Sequence, residues 1–134
     1  MPVPIAGLYA GLLALLLIVV AVRVISLRWR FRVGTGDGGE RLLHKAVRAH
    51  GNAAEWIPIA LILLVVAELN RVSPTVLHAC GAIFVAARVL HAIGLTRSSG
   101  PSWPRALGVV GTLGSIAVLG VYAIAAFVQQ APRV

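Results

Sequence analysis

Acidic residues are scarce in this chain. Its 134 residues contain four Asp and Glu (Asp37, Glu40, Glu55 and Glu68) against twelve Lys and Arg, a formal charge of +8. Charge of either sign is sparse too, at 12%, where a soluble domain carries about 25%. That deficit, with 59% hydrophobic residues and a mean hydropathy of +0.92, excludes an ordinary soluble domain and places the chain in a membrane. One cysteine, Cys80, excludes an internal disulfide and any CxxC metal or redox pair. His44, His50, His78 and His91 lack metal-ligand spacing, and no HExxH occurs. His78 reads as a packed polar residue and Cys80 as a small apolar filler. Gly34-Thr-Gly-Asp-Gly-Gly39 follows no strand, so it fails the context test for a phosphate-binding loop and reads as a flexible connection.

What the chain does contain is four apolar segments, predicting one domain of four membrane helices at about 3–27, 40–69, 75–95 and 105–128. The first segment lacks a basic leader and its positive charge follows the run, so it reads as a retained anchor rather than a signal peptide. Gly7 and Gly11 form a GxxxG that permits close helix approach. Arg28-Trp-Arg-Phe-Arg32 makes a basic, aromatic collar suited to a bilayer surface. In the last segment Gly108, Gly111, Gly114 and Ser115 offer a small-residue face for packing.

The second and third segments are too short to span on apolar residues alone. Trp56 to Ala67 is 12 residues, whereas a span takes about 20. The second helix must therefore draw in Glu55, Asn52 and Arg48, and it must also carry Pro58, which predicts a kink. The third must draw in Arg88 and His91. The basic residues crowd the loops after the first and third helices (Arg28, Arg30, Arg32, Arg41, Lys45; Arg97, Arg105), with Arg71 and Arg133 elsewhere. By the positive-inside rule these loops face the cytoplasm and both termini face out. The basic residues thus have a topological explanation, and no nucleic-acid partner is expected.

That topology brings the intramembrane polar residues to one depth. Arg48, Asn52 and Glu55, at i, i+4 and i+7, share a helical face, and Arg28, Arg88, His91 and Arg105 lie at the same end. A purely structural alternative pairs Glu55 with Arg48 or Arg88. One acid against several arginines leaves a cationic surplus, and ionisable residues within membranes are functional by default. Arginine binds carboxylates bidentately and can hold a thiol as thiolate. Arg105, opening a helix, adds the positive end of a dipole.

These residues resemble the MAPEG family, the membrane-associated proteins in eicosanoid and glutathione metabolism, in a form similar to its bacterial members. The resemblance runs from about Ala10 to Phe127. It rests on Arg48-x-x-x-Asn52-x-x-Glu55 before an aromatic and Pro58, on Val24-Ile-Ser-Leu-Arg28-Trp-Arg-Phe-Arg-Val33, on Ala87-Arg88-x-x-His91 and on Arg105. It implies a four-helix protomer in a homotrimer of a bacterial inner membrane. Glutathione, as co-substrate, would bind between subunits near the cytoplasmic face. Arg28 would contact its carboxylate from a neighbouring subunit; Arg48, Asn52 and Glu55 would hold the tripeptide. Arg88 and His91 would line the floor, and Arg105 would stabilise the thiolate. The chain departs from several glutathione-using members in having Leu95 for a tyrosine, and from some members in having Gly51 for a larger polar residue. Ala106 stands where the prostaglandin-isomerising branch has serine, which argues against that chemistry.

The expected function is a membrane glutathione transferase or peroxidase acting on lipophilic substrates from the bilayer. Two alternatives stay open: a non-catalytic binding protein of the same fold, and a small multidrug exporter using Glu55 for proton exchange. Arginines around Glu55 would repel the exporter's cationic drugs.

Overall fold

The computed structural model describes residues 2–97 and 100–130. Arg133, counted in the charge argument, and positions 98 and 99 of the loop before Arg105 lie outside them. Four α-helices follow one another: α1 Pro4–Phe31, α2 Arg41–Leu69, α3 Pro74–Arg97 and α4 Trp103–Gln130. Each is long and apolar enough to cross a bilayer, so the chain is an all-α, multi-pass membrane protein.

The element ends follow local chemistry. Pro4 sits at the first turn of α1, where its missing N–H costs nothing. α1 continues through most of the basic collar and closes on Arg32, in the left-handed conformation at φ 55. The collar is thus the helix's last turn rather than a segment after it, and Arg28 caps that turn by donating to the Val33 and Gly34 carbonyls at 3.4 and 3.0 Å. Trp29 and Trp103, both largely exposed, mark the same end of the bundle as the aromatics of a membrane boundary do. α2 stays helical through Pro58.

α2 and α3 form the centre, with α1 and α4 packed on their flanks. The core divides by depth. Toward the short α2–α3 turn, Ala6, Tyr9, Leu64, Ala67, Leu77, Cys80 and Leu119 cluster; deeper toward the basic loops are Leu13, Val20, Ala53, Ile57, Ala60 and Phe84. The Tyr9 hydroxyl lies 3.1 Å from His78 Nδ1 and donates to the His78 carbonyl at 2.9 Å, and the buried Cys80 packs among apolar neighbours. Glu68, from the end of α2, accepts the α1 amides of Ile5 and Ala6 at 3.0 and 2.7 Å. That carboxylate supplies a cap that Val3 cannot.

The small-residue face of α4 is narrower than its spacing predicts. Gly108, Thr112 and Ser115 are buried, and Gly111 meets Ala87, but Gly114 opens onto empty space. The reason is angular. Positions 108, 111, 112 and 115 share one stripe, and 114 is rotated about 100° from 115. Gly7 and Gly11 likewise meet no other helix within the protomer.

Candidate functional site

A stripe of α2 organises the site. Arg41, Lys45, Arg48 and Asn52 stand at spacings of four, three and four residues, so one face carries them from the helix start about 16 Å into the bundle. They line a cleft of about 290 Å³ with His44, Leu95 of α3 and Arg105 of α4. Among the described residues no carboxylate lines it. At its mouth the α1–α2 loop returns: Asp37 accepts the Gly39 amide at 3.0 Å and lies 2.6 Å from His44 Nδ1. These contacts hold the Asp37 carboxyl below its ordinary pKa of 3.8, the Gly39 amide first and His44 second. Arg105 enters from the first turn of α4 and donates to the Gly100 carbonyl at 3.0 Å. Its close approach to α3 needs Gly94, since a Cβ there would overlap the Arg105 side chain and backbone.

Behind the cleft lies Arg88, 3% exposed. Its guanidinium donates to Asn52 Oδ1 at 2.8 Å, to the Gly108 carbonyl at 3.3 Å and to Thr112 Oγ1, and it lies 5.8 Å from the centre of the Phe84 ring. The Nε is buried without a partner. Thr112, itself buried, donates to the Gly108 carbonyl at 2.7 Å. A buried cation costs several kcal/mol unless it is compensated; among the described residues dipoles and a ring face compensate Arg88, and no carboxylate does.

The expected site residues therefore separate into groups. Arg48, Asn52 and Arg105 share the cleft, and Arg88 touches it only through Asn52. His91, buried, lines an adjoining hollow with Arg105, Ser102 and Ala106. Arg28 lies apart, in a hollow at the end of α1 with Trp29, Arg32, Val33 and Gly34. Glu55, on the same stripe one turn deeper, is exposed and outside the cleft lining. Among the described residues it pairs with neither Arg48 nor Arg88; the structural alternative that tied Glu55 to them is not what holds this bundle. Asp37, by contrast, lies 2.6 Å from His44 Nδ1.

Arg41, His44, Lys45 and Thr112 were not expected as site residues. The first three carry a readable signal, because the Arg48–Asn52–Glu55 spacing continues backward through Lys45 and Arg41, with His44 one turn before Arg48. Thr112 carries one as well, standing seven residues after Arg105 on the same face.

Known proteins support these assignments of fold. A sequence profile of the MAPEG family matches residues 6–125. The chain is also similar to the inner membrane protein YecN of Escherichia coli K12, and equally to its counterpart in Escherichia coli O6:H1. Each is 43% identical over 90 residues, spanning 67% of this chain and 69% of the relative.

Proposed function

Because the chain belongs to the MAPEG family, we propose that it is a membrane-bound glutathione-dependent transferase or peroxidase, in which a bound thiolate attacks a lipophilic electrophile or peroxide. The observation that carries this reading is the cleft in which Arg48, Asn52 and Arg105 meet with no carboxylate among its described lining residues. Such a lining favours a ligand that brings its own anions, as the two carboxylates and the thiolate of glutathione do. Arg105 acts on the sulfur: a guanidinium beside a thiol favours the anion, and the positive end of the α4 dipole adds to it. The thiol proton leaves to water, the sulfur forms its bond to the electrophilic centre, and the leaving group departs.

At about 290 Å³ the cleft falls at the foot of the usual range for small-ligand sites, roughly 300–1,000 Å³. A homotrimer in which the tripeptide also touches a neighbouring subunit is part of the same proposal. In that assembly Arg28 reaches the neighbour's ligand, and Glu55 gains the partner it lacks here. The positive-inside rule turns the basic loops to the cytoplasm and both termini outward. The relatives named as inner membrane proteins support a bacterial inner membrane as the location.

The test is conjugation of glutathione to an aryl halide by the protein in detergent or vesicles. Arg105→Ala is expected to lower kcat/KM by a hundredfold or more. A wild-type rate no higher than the uncatalysed reaction, with glutathione still bound, would instead favour a binding protein that kept the fold.

A further inference from the structure

We infer that Arg88 is a positioning residue rather than a ligand contact, and that Thr112, acting through it, sets which end of the Asn52 amide faces the cleft. The inference rests on the reading of the cleft as a glutathione site and adds to it the residues that prepare it. A guanidinium has donors and no acceptor. Asn52 must therefore turn its carbonyl oxygen toward Arg88, as the 2.8 Å contact records. The amide is planar, so its Nδ2 points away from Arg88. Asn52 lines the cleft, and its Nδ2 donates to nothing among the described residues. The donor left over belongs to the ligand.

Arg88 can impose this only if it is itself held. Its second nitrogen is fixed from α4 by Thr112 Oγ1 and the Gly108 carbonyl. The Thr112 hydroxyl, committed as donor to Gly108, has its lone pairs left for Arg88. Gly108 lets α3 and α4 approach closely enough, because a Cβ there would overlap His91 and the Ala87 carbonyl. The relay thus runs from Thr112 through Arg88 to Asn52, three helices in one hydrogen-bonded line. Asn52 Nδ2, Arg48 and Arg105 then present donors alone, which selects a carboxylate or peptide carbonyl at this point of the ligand.

The test compares glutathione affinity, thermal stability and the side-chain amide NMR signals of Asn52 in Thr112→Val, Thr112→Ser and Asn52→Asp. Thr112→Val is expected to weaken glutathione binding at least fivefold and to shift the Asn52 signals, with Thr112→Ser restoring both. Asn52→Asp gives Arg88 a carboxylate while removing the donor, so it is expected to melt no lower than wild type yet bind glutathione at least tenfold more weakly. A purely structural role predicts instead that affinity follows melting temperature through the series, and that result would overturn the inference. Unchanged Asn52 signals in Thr112→Val would overturn it as well, whether or not wild type binds glutathione. Absence of wild-type binding with the signals shifted would leave the relay standing and remove only the glutathione reading.

Discussion

A membrane core tolerates a buried charge only when something answers it, and this chain uses two different answers. Arg88 is answered by dipoles and a ring face and Glu68 by two helix amides, while Glu55, exposed on the bundle surface, has no partner among the described residues. Glu68 gives the simplest prediction. Glu68→Ala removes the acceptor for two first-turn amides of α1 and is expected to cost about 1–2 kcal/mol. Thermal unfolding in detergent measures it, and a change of a few tenths would mean that α1 does not depend on that cap. The residue scale is also where the sequence says least. Arg48, Asn52 and Glu55 visibly share a face, yet spacing on one helix says nothing about where that face ends up relative to the other helices. Here the face splits, with Arg48 and Asn52 in the cleft and Glu55 outside it. Arg88 is conspicuous in the sequence because its charge is rare at that depth, but only the structure gives its partners, Asn52 on α2 and Gly108 and Thr112 on α4.

Between elements, contact is governed by which residues lack a side chain. Gly108 lies where α4 meets Ala87 and His91, and Gly114, six residues on, meets nothing. Gly108→Leu is expected to destabilise by about 1–3 kcal/mol through overpacking and to lower ligand affinity by moving Arg105. Gly114→Leu should change neither, and equal effects from the two would place the α3–α4 contact elsewhere. The α1–α2 loop answers to pH. Asp37 titrates below its ordinary 3.8 when folded, so the order it contributes is complete above that value and is lost as pH falls through the lower one. Exchange protection of the Gly39 amide is expected to persist down to about pH 4; loss near pH 6 would show that Asp37 does not hold the loop. The four membrane segments were legible from hydropathy and low charge, but the lengths of α2 and α3 required counting Arg48, Asn52, Glu55, Arg88 and His91 into the spans. The small-residue face of α4 was legible only in part, because composition names the small residues while rotation around the axis decides which are used.

For the whole molecule, the family and the multi-pass architecture were written in the sequence, as motif residues set in four apolar segments. The assembly was not, because exposed apolar faces serve lipid and protein neighbours alike. The proposed homotrimer predicts three protomers by native mass spectrometry in mild detergent, and a persistently monomeric species would contradict it. The central claim is that the basic cleft binds glutathione, and calorimetric titration of the solubilised protein tests it most directly. The account predicts saturable heat and a thermal shift with glutathione, both lost in Arg48→Ala. No heat and no shift at millimolar glutathione would contradict it.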